Sequence, residues 1–504
     1  MAKRYDSLEE VPEHILKNLS KYFTNVGGDT FAITNLPSEL AGALLARYSR
    51  VQTGIQLTLV NEFLDEQGLP SQEKGSAMMD RVLNAFGDES VGELEGAHMG
   101  IEDVTQLLTK EIEDRRIGGS PIEQSTRYVV YDKKDSDGRW RYLRPREVTE
   151  SGLLEKFERV NDLSFKVYSE GVTRLKEFFE RQFPRSKHRI LVERSGEKRE
   201  VGEEELATDQ ERKEFRNSYN FTIRCAALDV GRCVLPSSTL THLGLFGNGR
   251  FYTGLITHLK TSDIHEANIR GYSLEMELGK VIPTFIKRNR INNYAIQVDK
   301  SMRALAPEIL GGITPQTGHV TLVPRGNYLD EVVSSALFPY TDISLVQIME
   351  EVGKMSPEAK AKVLDSYICK RNLTGEISKD KRNKIGRATE AGYPIVFDLV
   401  GGFAEYRDLE RHRILTQQRQ RLRTDYGFIM PPEVVEVGLE LQVEEVASQM
   451  ADLNSDLRHA GLDSASQYAT LFNHRIRFMM GMNLRELQHL TELRSQKAGH
   501  FSYR

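Results

Sequence analysis

The residues that could do chemistry fall in a few short stretches. RHRILTQQRQRLRT at 411–424 opens with Arg411, His412 and Arg413 and continues with Arg419, Arg421 and Arg423. RRIGGSPIEQSTRY at 115–128 carries Arg115, Ser120, Glu123, Ser125, Arg127 and Tyr128. GRCVLP at 231–236 holds Arg232, and the stretch 473–494 holds Asn483, Arg485, His489 and Arg494. Arginine offers planar, bidentate donors and serine a short one, which suits a phosphate or another anion. On an extended strand Ser125 and Arg127 would share one face. Arginine and histidine side by side suit an anionic redox cofactor, which brings its own chemistry and needs only to be held and tuned.

These stretches recur in the same order. LFGNGRFYTGLITHLK at 245–260 carries Asn248 and Arg250 after Arg232, as 473–494 carries Asn483 and Arg485. Aligned without gaps, Arg115 faces Arg411, Arg116 faces His412, Glu123 faces Arg419, Ser125 faces Arg421 and Arg127 faces Arg423. An internal duplication is expected: a first copy at 1–300, with a charged insertion at about 132–215, and a second at 301–504 that begins with a helical linker.

Arg-His-Arg, then Glu-x-Ser-x-Arg-Tyr, an arginine before Leu-Pro, Asn-x-Arg and a downstream Leu-Arg resemble the flavin-dependent thymidylate synthases, the ThyX family. The resemblance covers roughly 90–290 and 380–504. It implies an α/β (α+β) fold of two tandem ThyX-like domains, each a mixed or antiparallel sheet packed with long helices. It implies FAD as cofactor, NADPH and methylene-tetrahydrofolate as co-substrates, and reductive methylation of dUMP to dTMP. It also implies a homodimer forming a pseudo-tetramer.

Residue by residue, the resemblance assigns Arg411, His412, Arg413, Asn483, Arg485 and His489 to FAD. It assigns Arg115, Glu123, Ser125, Arg127, Arg232 and Arg494 to the nucleotide, with Arg494 catalytic at the base. The second copy departs at Arg419 and Arg421, where the family has Glu and Ser. It departs again at Gln467, in place of the arginine before Leu-Pro, and at Asp408, in place of a glutamine. The first copy has Arg116 and Ile117 for the His and Arg of the clamp, and Leu259 for the Leu-Arg arginine. The losses are complementary. One composite site is expected, with Ser125 and Arg232 close to Arg494.

Other readings compete. SPIEQ is also a helix start, with Ser120 as cap, Pro121 first and Glu123 closing a capping box. His489 fits a core histidine, and His98 with Glu102 a surface pair on a helix. Arg419, Arg421 and Arg423 could be a solvated edge strand or a basic ridge for nucleic acid, although aromatics for base stacking are lacking around them. The departures also admit another phosphorylated substrate.

The elements that must position these residues read as follows. Residues 38–64 and 98–114 carry helical periodicity, and 125–145 reads as a hairpin turning at DSDG. The charged run 150–215 reads as exposed helices and loops, and apolar character from 224 continues as a helical region to about 290. HVTLVP is a short strand, Ser344 and Gln347 a capping box, and Ser356-Pro357 a helix start. KRNLTGEISKDKRNKIGR at 370–387 is loop-like. The second copy stops at HFSYR, where the first continues with HEANIRGYSLEMELGKVIPTFIKR.

Composition sets the outer bounds. The chain has 504 residues, 39% hydrophobic and 28% charged, enough for packed cores in more than one domain. A net charge of -5 argues against bulk attraction to nucleic acid or anionic membrane. Cys225, Cys233 and Cys369 form no C-x-x-C pair, so no metal site is expected, and a reducing, cytoplasmic setting fits. No apolar run approaches the length of a membrane span.

Overall fold

The structure is a computed structural model. It describes residues 4–494 apart from 66, 87–88, 116, 195, 324–326, 369–385, 392–394, 413, 484–485, 488–489 and 492–493. The chain forms two compact units. One gathers Met1–Glu102, Glu111–Ile122 and His242–Asn293; the other gathers Asp103–Lys110, Glu123–Thr241 and Tyr294–Arg504. Nine strands are described: β1 (Gly96–Thr105), β2 (Gly119–Glu123), β3 (Ile190–Arg194), β4 (Glu197–Val201), β5 (Leu240–Asn248), β6 (Val320–Leu322), β7 (Ile395–Gly402), β8 (Thr416–Arg419) and β9 (Arg475–Met482). They make sheets ordered β1-β5-β2, β3-β4 and β6-β7-β9-β8. This is the α/β class expected. No described helix is long and apolar enough to cross a membrane.

In the first unit the helices Ser38–Tyr48 and Gln72–Phe86 enclose a core of Phe23, Leu40, Leu44, Phe63, Met79 and Phe285. Their approach needs Gly75, where a Cβ would stand 2.9 Å from Leu40 Cδ1. The expected helix over 98–114 is half strand: β1 runs to Thr105 before the helix Gln106–Glu113. Gly96 and Gly100 each disfavour helix by about 1 kcal/mol, and the alternation through Ala97 and Ile101 suits a sheet. His98 and Glu102 are therefore strand residues, and His98 packs on Phe246. SPIEQ is β2 and its exit, so the helix-start reading of Ser120 is overturned. The helical region expected to 290 is likewise interrupted by β5. Asn248 then caps the helix Gly249–Thr261 by accepting from Phe251 N at 2.8 Å.

In the second unit the charged run hides a core helix. Leu154–Gln182 buries Phe157, Val160, Phe165, Tyr168, Val172, Leu175 and Phe179 at helical spacing. It packs on the helices Asp209–Gly231 and Glu440–His459. Gly171 permits this, since a Cβ there would meet Leu439 Cδ1 at 3.3 Å. The reading of 150–215 as wholly exposed is thus corrected: the many charges occupy the solvent side of an amphipathic helix. Beyond it, β3 and β4 pair from Ile190↔Val201 to Arg194↔Glu197 over Val192, Leu206 and Phe215.

The hairpin expected at 125–145 is corrected too. Its turn exists, with Asp135 Oδ1 accepting from Asp137 N and Arg139 N at 2.9 Å. Its arms bond elsewhere: Arg141 O accepts from Leu240 N, and Leu143 N donates to Ser238 O, both at 2.9 Å.

The larger sheet follows its pattern. β6 is a strand, Ser344 and Gln347 form the capping box, and Pro357 opens the helix Pro357–Ile368. β7 pairs with β9 from Ile395↔Met482 to Gly402↔Arg475, and β8 is the edge beyond β9. Most of the basic segment 370–387 lies outside the described residues. One short pairing is informative. Pro236, four residues after Arg232, bridges antiparallel to Leu471, four residues after Gln467. Around it Phe472 N donates to Leu235 O at 2.9 Å and Ser237 N to Thr470 O at 2.7 Å. Positions that the expected duplication would make equivalent thus pair antiparallel with each other.

Candidate functional site

After β2 the chain makes a turn, with Tyr128 N and Val129 N both donating to Ser125 O. Ser125 and Arg127 are therefore not on one strand face as expected. Ser125 Oγ accepts from Arg127 N at 3.2 Å, and Arg127 pairs bidentately with Asp229 at 2.7 and 2.8 Å. Thr126 points inward, and its Oγ1 accepts from Arg232 at 3.3 Å and from Arg407 at 3.4 Å.

Arg407 stands on the helix Phe403–Leu409, over the Phe472 ring at 4.5 Å. That helix follows β7 directly because Gly402 N donates to Glu405 Oε2 at 3.0 Å. The carboxylate of Glu123 is shared by three cations. Arg407 donates to it at 2.7 Å, Lys110 Nζ at 3.1 Å, and Arg411 stands at 3.7 Å. Lys110 also reaches Glu410 at 3.6 Å. Burial alone would raise the Glu123 pKa, but Arg407, Lys110 and Arg411 overcome it and hold the carboxyl at about 2.

Arg232 is different. Its residue is 3% exposed, and among the described residues its Nε and Nη2 have no hydrogen-bond partner. Its carboxylate neighbour is Asp408, at 3.7 Å. Burial pulls its pKa down, opposed by Asp408 and Asp229. A buried cation this poorly satisfied suits an incoming anion.

Asp408 leads onward to Arg494, whose Nη2 donates to Asp408 O. Arg494 Nε donates to His412 Nε2 at 3.0 Å, so His412 carries its proton on Nδ1 and gives it to Glu486 Oε1 at 2.8 Å. His412 is buried with both ring nitrogens engaged. Glu486 is placed by Asn483, whose Oδ1 accepts from Glu486 N at 2.9 Å.

Glu123, Ser125, Arg127, Arg232, Arg411, His412, Asn483 and Arg494 thus all lie in the second unit. Arg232 and Arg494 meet at Asp408, and Ser125 adjoins Thr126. Arg115 is half-buried in the first unit. Arg413, Arg485 and His489 lie outside the described residues. Sequence reasoning passed over Lys110, Thr126, Asp229, Arg407, Glu410 and Glu486. Lys110 did carry a signal, as a lysine set among Leu107, Leu108 and Ile112 on an apolar helix face.

The arginines after the clamp are not a solvated edge. Arg419 is half-buried and donates to Gln467 Oε1 at 3.4 Å, and Arg423 pairs with Asp342.

The family described as thymidylate synthase complementing protein (Thy1) matches residues 38–284 and 395–504. The UPF0159 protein of Chlamydia muridarum (strain MoPn / Nigg) is 34% identical over 97% of this chain and 90% of its own length. That of Chlamydia pneumoniae is 34% identical over 96% and 89%. UPF0159 protein Ta1429 of Thermoplasma acidophilum is 31% identical over 92% and 90%. Among solved structures, flavin-dependent thymidylate synthase ThyX from Helicobacter pylori, complexed with FAD and dUMP, is 13% identical. It covers 51% of this chain and 96% of its own, with a TM-score of 0.29. A UMP/dUMP methylase PolB from Streptomyces cacaoi, bound with 5-Br dUMP, is 17% identical over 50% and 89%, with a TM-score of 0.26.

Proposed function

The chain belongs to the thymidylate synthase complementing protein family, and from that premise we propose that it is a flavin-dependent thymidylate synthase-like enzyme. It methylates dUMP to dTMP with methylene-tetrahydrofolate and NADPH, at a site composed of both repeats of one chain. The observation that carries this reading is Arg232: a buried, under-bonded guanidinium beside the residue that also holds Arg494. The two arginines come from different repeats.

Arg232 takes the nucleotide phosphate, and the Ser125–Arg127 turn walls it. Arg494, oriented by His412 and Asp408, polarises the base. Glu123 does not touch substrate; it fixes Arg407 and Arg411. His412 likewise works through Arg494, and Asn483 through Glu486. Arg411, at the exposed start of the clamp, offers a cation to an anionic cofactor, and this donor set fits FAD. Arg413, Arg485 and His489 keep the cofactor roles that family resemblance gives them, and Arg115 its nucleotide role. When bound, the flavin supplies the reducing equivalents.

The same reading makes the chain a cytoplasmic homodimer whose four copies form a pseudo-tetramer. Asp408, where the family has a glutamine, favours a second reading in which the base is that of another phosphorylated pyrimidine.

The test is direct. Purified protein should show, or acquire with added FAD, a flavin absorbance band, and should oxidise NADPH in response to dUMP and form dTMP when folate is present. A protein that takes up no FAD and makes no dTMP overturns the reading. dUMP-independent chemistry on another nucleotide selects the second.

A further inference from the structure

Arg127 is occupied before any nucleotide arrives. Its Nε and Nη2 donate to Asp229 Oδ1 and Oδ2 at 2.7 and 2.8 Å, so one edge of the guanidinium fork is filled by a carboxylate. A phosphate accepts from that edge in the same bidentate way. Asp229 comes from the last turn of the helix Asp209–Gly231, three residues before Arg232. That spacing puts the two side chains on one side of the helix end. Arg232 feels the charge of both Asp229 and Arg127, and Thr126, next to Arg127, accepts from Arg232 at 3.3 Å. Asp229 therefore stands at the cradle as a built-in anion.

Two observations set this contact apart from a structural brace. The turn is held without it: Tyr128 N and Val129 N donate to Ser125 O at 3.1 and 3.0 Å, and Ser125 Oγ accepts from Arg127 N at 3.2 Å. The two arginines are also unequally served. Arg232 is buried with Nε and Nη2 unbonded among the described residues, and its carboxylate neighbour Asp408 is 3.7 Å away. Arg127, with a side chain one-quarter exposed, holds both oxygens of Asp229. The buried cation lacks an anion, and the more accessible one is stoppered.

We propose that Asp229 is an intramolecular stand-in for the nucleotide phosphate: it occupies Arg127 in the empty site and yields that arginine when the phosphate enters beside Arg232. Asp229 thus sets how tightly the phosphate is held. The apparent affinity is the intrinsic one scaled by the fraction of chains in which Arg127 is released. The inference rests on the reading that the Arg232 cradle takes the pyrimidine nucleotide by its phosphate.

Calorimetric titration of the full chain tests it, with dUMP, deoxyuridine and inorganic phosphate as probes. Asp229→Asn keeps the shape and removes the charge. In this variant dUMP and inorganic phosphate should bind roughly tenfold or more tighter, the worth of one charge-assisted pair that no longer has to be broken. Deoxyuridine, which has no phosphate, should bind as it does to wild type. Asp229→Ser should shift all three in the same way, and thermal melts report the folding of both variants. Weaker or unchanged binding of dUMP and phosphate makes Asp229 a brace for Arg127 and overturns the proposal, as does loss of folding in both variants. An equal shift for deoxyuridine is a general change of the site and overturns it too. If neither wild type nor variant takes dUMP, the proposed function fails instead. Inorganic phosphate then decides the stand-in alone: tighter binding in Asp229→Asn upholds it, and no change overturns it.

Discussion

Replacing Arg232 by methionine sets two expectations of opposite sign. In the unliganded chain the guanidinium has one long hydrogen bond, 3.3 Å to Thr126, and a carboxylate at 3.7 Å, beyond hydrogen-bond reach. It is 3% exposed, so its desolvation, several kcal/mol for a buried ion, is poorly recovered. A methionine of similar length, made together with Asp408→Asn so that no partner is left charged, should leave thermal stability unchanged or raise it, by about 1–4 kcal/mol where a buried ion pair gives way to neutral side chains. Arg232→Met alone takes one partner from the pair with Asp408 and should recover less of that gain. Nucleotide affinity should move the other way. Removing one partner of a buried charge-assisted contact costs about 2–5 kcal/mol, or roughly 30- to 5,000-fold in Kd. Calorimetry of dUMP binding and thermal melts with and without dUMP read both effects. A variant that melts well below wild type but binds dUMP equally would make Arg232 a structural residue and refute the reasoning.

Glu123 predicts a pH dependence. Its folded pKa of about 2 lies below the ordinary carboxylate value near 4.3, so its contribution is complete above about 4.3 and lost as pH falls toward 2. Denaturant melts should therefore show Glu123→Gln well below wild type at pH 7 and converging on it near pH 2–3. Lys110→Met leaves Glu123 and Glu410 short of a buried cation and should cost about 3–5 kcal/mol in the same assay, with part of the loss recovered by adding Glu410→Gln. Glu95 in the first unit has the reverse sign. Burial, with Glu39 nearby, raises it to about 8, so the neutral acid's advantage is complete below about 4.3 and lost as pH rises through 8. Glu95→Gln should be more stable than wild type at pH 9 and about equal to it at pH 5 by thermal melt.

The caps at Ser344 and Ser356 and the short strand β6 were legible because each is a local signal. What failed was read across distance. Gly96 and Gly100 made β1 a strand although 98–114 kept a helical rhythm. The 154–182 helix looked exposed because charges outnumber the apolar stripe that packs it. Glu123 stood out by motif. Its three cations did not, because Lys110, Arg407 and Arg411 come to it from separate elements. Arg127 was taken for a phosphate ligand with no way of knowing that Asp229, about a hundred residues later, would claim it bidentately.

The antiparallel pairing of Pro236 with Leu471 gives the proposed duplication, and its complementary losses, a physical reason. Two repeats related this way would present two equivalent cradles, and the residues at each can be compared. In the first, Glu123 gathers cations and Arg232 is left under-bonded. In the second, the equivalent positions hold Arg419 and Gln467, and these bond to each other. Gln467 Oε1 accepts from Arg419 at 3.4 Å and from Leu422 N at 3.1 Å. The second cradle is thus closed by its own side chains, with the amide of Gln467 standing where the first has Arg232. On the proposed function, one nucleotide per chain is expected. Calorimetric titration with dUMP should give a stoichiometry near one, and Arg232→Met should abolish that single event. Two sites per chain, or residual tight binding in the variant, would mean that the Arg419–Gln467 cradle still opens, and the account of one composite site would be wrong.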